Sequence, residues 1–299
     1  MKKTFITLMG LLVMISCDQR PRSVDSSSID PSYSNESAEG ADNGNDYVDA
    51  DAARDTVTTT PLVYDYDEDK VQVSLHLFYP ESGANQYLLT AVREFISEQL
   101  GGSYTGRLDN GEALLQHYGD SIRNYLVAEH ENDKANMDED YINGYFRNIV
   151  IMKAYETERL VTFTYDEDIY LNGAHGSHAT YGMTFRKSDG RRFGRDMLRG
   201  VFSEDMHLLV KDGLKRYFSD MNQLSDLTDE ELKEFILTDD HVDYLPMPNH
   251  EPYITAEGVN FIYQPYEISF FAAGLPSFTV PLDSLAGDRR LTSPLAQGR

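Results

Sequence analysis

Val71-Gln72-Val73-Ser74-Leu75-His76-Leu77 carries an apolar side chain at every second position. A period of two marks a strand with one face on a core and the other toward water. Pro80 and Gly83 stop it, and the period then changes. Leu88, Leu89, Val92, Phe95, Ile96 and Leu100 form one stripe of a helix over 84–100, closed by Gly101-Gly102. A second helix over 110–128 repeats the stripe with Leu114, Leu115, Tyr118, Ile122, Tyr125 and Leu126. An acidic turn leads to strands at 144–156 and 159–170, split by a hairpin at Glu156-Thr157-Glu158. Strands and helices in blocks, rather than in strict alternation, predict an α+β fold: two small domains with mostly antiparallel sheets packed by helices.

Downstream, a Gly/His loop over 172–178 precedes a strand from Thr180 to Arg186. A helix starts after Ser203, its expected N-cap, with Met206, Leu209, Val210, Leu214, Tyr217 and Phe218 as the buried stripe. Thr228-Asp229-Glu230-Glu231 has the spacing of a capping box. Strands are expected over 259–263 and 278–282, with a turn or short helix over 265–273 between them and a frayed tail after Leu285.

Upstream, Met1-Lys2-Lys3 and the apolar run Phe5 to Ile15 end on Ser16-Cys17, the one cysteine of the chain. The run is too short to span a bilayer and has the build of a signal-peptide core. A cysteine directly after the small Ser16 predicts cleavage there and lipidation of Cys17, as in bacterial lipoproteins, although Met14 stands where the lipobox usually has Leu. Asp18 to Thr60 holds 10 acidic and 3 basic residues and few large apolar ones, so a disordered tether is expected. The domain reading is a signal peptide at 1–16, a linker at 17–60, α+β domains at 61–158 and 159–286, and a tail at 287–299.

The chain carries 50 acidic against 26 basic side chains, a formal charge of −24. Nucleic acid is excluded as a partner by that field, and a cationic partner is favoured. With a single cysteine, stability must come from the core rather than from disulfides.

The candidate chemistry is sparse. Tyr170-Leu171-Asn172-Gly173-Ala174-His175-Gly176-Ser177-His178 places two histidines in a glycine-flexed loop, where they could share a metal or present a base. A third ligand is not supplied by any HExxH motif, and the plainer reading is a tight turn with His175 bonded to a neighbouring strand. Asp65, Asp67 and Asp69 open like a calcium loop, but Lys70 and His76 stand where Gly and Glu are required, so a solvated acidic edge is expected there. Glu129, Glu131 and Asp133 with Asp138, Glu139 and Asp140 are expected to form a solvated acidic loop. The sequence has no G-x-S-x-G and no phosphate-cradling loop. No cofactor, resident metal or catalytic residue is expected.

The loop from Tyr170 to Gly176, followed by Gly258-Val259-Asn260-Phe261-Ile262-Tyr263-Gln264-Pro265-Tyr266-Glu267-Ile268, Ala272-Ala273-Gly274 and Phe278 to Leu282, resembles the extracytoplasmic domain of RsiV-type anti-sigma factors, also found in bacterial lipoproteins. Residues 65–155 resemble, more vaguely, the smaller domain that precedes it and that occurs beside peptidoglycan deacetylases. Asn172 stands where the family loop usually has the first of two glycines. The sigma-binding segment and membrane helix of the anti-sigma members have no counterpart here, so sigma-factor control is not carried over. The resemblance implies a binding domain facing the cell envelope, and in the anti-sigma members that domain senses lysozyme. The expected protein is a lipid-anchored, non-enzymatic envelope module. Its membrane contact is the N-terminal lipid, and its partner is a basic protein such as lysozyme or cell-wall material. Tyr170, His175, His178, Tyr266 and Glu267 are the candidate ligand contacts. The alternative is a metal-dependent enzyme acting on wall glycan through His175, His178 and Glu267.

Overall fold

The computed structural model describes residues 56–237 and 242–287. Cys17 with its signal, most of the 17–60 linker and nearly all of the tail lie outside the described residues. The fold is α+β with two sheets.

The larger sheet holds β1 (Thr58–Glu68), β2 (Val71–Ser82), β3 (Tyr145–Glu156), β4 (Leu160–Leu171) and β5 (Ser177–Arg186), ordered as in the chain. Every neighbouring pair is antiparallel except β2 and β3. A parallel pair needs a long crossover, and helices α1 (Gln86–Gln99) and α2 (Gly111–Asn136) supply it. Both lie on one face of the sheet. Val73, Leu75 and Leu77 of β2 and Val161, Phe163 and Tyr165 of β4 meet Leu88, Val92, Phe95, Leu114, Tyr118 and Leu126 there in one buried cluster. Each such side chain contributes about 1.5–3 kcal/mol by leaving water. At Gly119 a Cβ would sit 2.3 Å from the Tyr64 ring, so only glycine lets α2 lie this close to β1.

The C-terminal part has its own core. Helix α3 (Glu204–Asn222) starts at Ser203, whose side chain accepts from the Met206 amide, and α4 (Asp229–Lys233) starts with the Thr228/Glu231 capping box. Strands β6 (Tyr253–Ile254), β7 (Val259–Ile262) and β8 (Ser277–Val280) form an antiparallel sheet, and α5 (Leu282–Gly287) follows. Val210, Leu214 and Phe218 of α3 pack on Val259, Phe261 and Phe278. Tyr155 and Leu160, at the β3–β4 turn, pack against this cluster. Below them, Thr162 Oγ1 donates to the Ile254 carbonyl at 2.7 Å, and Thr184 Oγ1 accepts from the Ile254 amide at 2.8 Å. The expected 158/159 boundary falls in the β3–β4 turn, and the two buried clusters draw on residues 57–185 and 193–285.

Four local expectations change. The Asp65/Asp67 segment, read as a solvated acidic edge, is strand β1: Leu62, Tyr64 and Tyr66 alternate with the acids and pack on the core. Helix α2 continues to Asn136 through what was expected to be an acidic loop, because His130, one turn beyond Leu126, extends the buried stripe. Ser177 and His178 belong to β5 rather than to the loop. The segment expected to fray after Leu285 is still helical to Gly287.

Candidate functional site

The helices cover one face of the five-stranded sheet and leave most of the other bare. Strand register places its side chains in rows across all strands. One row is Asp65, Ser74, Asn148, Asp168 and His178; the next is Val63, His76, Val150, Asp166 and Thr180. Asp67, Gln72, Phe146 and Tyr170 form a third. None of these positions is Lys or Arg. Val63 remains 52% exposed on this face. It therefore mixes apolar groups with four carboxylates and, among the described residues of these rows, offers them no basic counterpart beyond two histidines. One end is covered across β4 and β5, where Tyr253 lies on Gly182 and Ile254 is bonded to Thr162 and Thr184.

Within it, four side chains form a hydrogen-bonded chain. His178 Nδ1 lies 2.7 Å from Asp168 Oδ1, and His178 Nε2 lies 3.0 Å from Thr180 Oγ1. Thr180 donates to Asp166 Oδ1 at 2.7 Å. With the one hydroxyl proton given to Asp166, Thr180 can only accept from Nε2, so all three bonds are made at once when both ring nitrogens carry protons. Across the sheet, Ser74 donates to Asp65 at 2.8 Å, and His76 Nε2 is 3.8 Å from the same carboxylate.

The β4–β5 loop meets the C-terminal motif at the sheet edge. Asn172 turns the chain at φ 53°, and Tyr170 Oη donates to the Gly173 carbonyl at 3.0 Å. His175 Nδ1 faces the Gly176 carbonyl at 2.7 Å, which fixes a proton on that nitrogen; Nε2 then accepts from Tyr266 Oη at 3.2 Å. The His175 ring stacks on Phe271 at 4.3 Å. Tyr266 takes φ 66°, a costly conformation for a bulky residue, and stays 56% exposed. Glu267 accepts from the amides of Gln264 (2.7 Å) and Asn249, so its two oxygens clamp loops.

The structure thus brings His175 and Tyr266 together across 91 positions of chain and holds His178 in a carboxylate network. Tyr170 stacks on Phe146 at 5.8 Å on the bare face, and Glu267 is committed to backbone. The sequence reading missed Asp166, Asp168, Thr180 and Phe271. The alternation in Thr164-Tyr165-Asp166-Glu167-Asp168 carried the signal, since it puts both aspartates on one side of a strand. On the helix-covered side, Glu167 pairs with Arg147 at 2.5 Å, and His250 stacks on Tyr181 at 4.1 Å. Burial holds the His250 imidazole below its ordinary range and pushes the Tyr181 phenol up to about 12.

Residues 209–283 match the family model described as a protein of unknown function, DUF3298. Crystal structures that resemble the chain include the following two. One, a member of the DUF3298 family from Bacteroides fragilis NCTC 9343, is 18% identical with a TM-score of 0.62, over 83% of this chain and 98% of that one. The other, a DUF3298 family protein from Pseudomonas aeruginosa PAO1, is 14% identical with a TM-score of 0.54, over 81% and 98%. No curated protein matches. The chain has the fold of these two DUF3298 family proteins, and its segment 209–283 matches that family's sequence model.

Proposed function

We propose that the protein is a lipid-anchored, non-enzymatic module of the bacterial cell envelope that binds a basic protein. The observation that carries this reading is the bare sheet face, where Asp65, Asp67, Asp166 and Asp168 stand without a Lys or Arg among them. A field of one sign over an open surface raises the local concentration of opposite charge and speeds encounter. The Ser16-Cys17 motif after a short apolar run supports anchoring outside the cytoplasm, and the RsiV-type resemblance supports a lysozyme-like partner. An enzymatic role for His175, His178 and Glu267 has no comparable support: one histidine is bonded to Tyr266 and a carbonyl, the other to Asp168 and Thr180, and Glu267 to backbone amides.

The test uses the full-length chain expressed in a bacterium. Membrane partition that disappears with Cys17→Ser, together with capture of lysozyme that weakens steeply between low and high salt, is the expected outcome. Unchanged partition in Cys17→Ser would remove the anchor, and failure to retain lysozyme at low salt would remove the partner.

A further inference from the structure

His130 is 3% exposed, and neither ring nitrogen makes a hydrogen bond to the described residues. Buried polar groups are nearly always paired, and one that is not calls for a water or an ion. His130 lies on α2 beside Glu131 and faces the turn between β1 and β2. That turn is two residues long, with Asp69 at φ 54° and Lys70 at φ 67°, a conformation that holds Asp69 over the helix. One potential ligand atom from each of Asp69, His130 and Glu131 lies within 4.8 Å of the others. Lys134, one turn along, already bridges the acids, with Nζ 3.0 Å from Asp69 Oδ2 and 3.1 Å from Glu131 Oε1. A cation is therefore drawn to this point, but the ammonium serves only the carboxylates.

We propose that Asp69, His130 and Glu131 form a site for a divalent transition-metal ion, with Zn²⁺ the best fit, and that Lys134 is the cation it displaces. One imidazole nitrogen and two carboxylate oxygens suit Zn²⁺, whereas Ca²⁺ and Mg²⁺ favour all-oxygen shells. Asp69 and Glu131 are exposed, so small swings of their side chains bring their oxygens to bonding distance while the buried imidazole stays in place. Three protein ligands leave room for water or a partner's side chain. The ion would tie the β1–β2 turn to the end of α2. Asp133 in that same turn of helix accepts from Tyr145 and, at 3.1 Å, from Asn172 at the start of the His175 loop.

The experiment is calorimetric titration of the metal-free, full-length chain with Zn²⁺ and with Mg²⁺. One Zn²⁺ per chain is expected, with affinity at least about tenfold weaker in Asp69→Asn, Glu131→Gln and His130→Gln, and tighter in Lys134→Gln. The two surface variants keep the test valid if His130→Gln fails to fold. Four results would overturn the site: no saturable Zn²⁺ binding, unchanged affinity in the Asp69→Asn/Glu131→Gln double variant, equal preference for Mg²⁺, or loss of Zn²⁺ only when His178 is replaced.

Discussion

Gln264 grips the free edge of β5 at Thr180: its Oε1 accepts from the Thr180 amide at 3.3 Å and its Nε2 donates to the Thr180 carbonyl at 2.9 Å. One side-chain amide thus stands in for a neighbouring strand and fastens the C-terminal motif to the large sheet. It also places Tyr266, two residues on, against His175. Replacing Gln264 with Ala orphans a partly buried donor and acceptor, at about 1–3 kcal/mol. Urea unfolding of Gln264→Ala should show that loss, and amide exchange should speed up at Thr180. Full stability in this variant would mean that the contact is incidental.

The bare face is expected to account for salt-sensitive binding. Neutralising Asp65, Asp166 and Asp168 together to Asn keeps the acceptor oxygens for Ser74, Thr180 and His178 while removing three charges. Affinity for a basic protein such as lysozyme should fall at least about tenfold at low ionic strength, where the screening length exceeds about 10 Å. The control neutralises Asp138, Glu139 and Asp140, an exposed acidic turn of equal charge. Equal effects in the two triple variants would show that net charge, not this face, governs binding.

His250 makes stability depend on pH near neutrality. Burial against Tyr181 is the main cause of its depressed pKa, with Glu267 opposing. The unfolded imidazole titrates near 6.5 and the folded one lower, so the unfolded chain takes up more protons between those values. Stability is therefore full above about 6.5 and declines as pH falls through the folded value. His250→Phe keeps the ring stack and removes the titration. Its denaturant midpoint should be flatter between pH 7 and pH 5 than that of the parent chain.

Much of this architecture was legible because local patterns and tertiary needs agreed. Val71 to Leu77 alternates and is buried on one side; Ser203 and Thr228 cap helices where their spacing says they should. Strand β1 was hidden because Asp65 and Asp67 occupy its water-facing positions, which makes a half-buried strand look like an acidic loop. The same two residues contribute to the bare face, so its extent depends on a strand that the sequence disguised. His175 and Tyr266 carried a local signal each, but their meeting depends on Gln264 docking at Thr180, a contact between residues 84 positions apart. His130 gave no signal at all, since its isolation is a property of the packed helix.

The start of β1 is held by one partly buried carboxylate serving several donors. Glu156 accepts from Lys153 at 2.6 Å, Lys187 at 2.9 Å and the Val57 amide at 2.7 Å, and Lys187 is only 1% exposed. Burial alone would raise the Glu156 pKa, but the two lysines and the amide outweigh it and hold the group below its ordinary range. Glu156→Gln takes a carboxylate away from the buried Lys187 ammonium, and breaking a buried pair from one side costs up to about 3–5 kcal/mol. The loss should appear at neutral pH in urea unfolding, with faster exchange of the Val57 amide. Because the folded pKa is lowered, the parent chain has this stabilisation in full above about 4.5 and loses it as pH falls further. The gap between parent and Glu156→Gln should therefore narrow on acidification. A gap under about 1 kcal/mol at pH 7, or one that does not narrow, would show that the Glu156–Lys187 pair does not govern the stability of this corner.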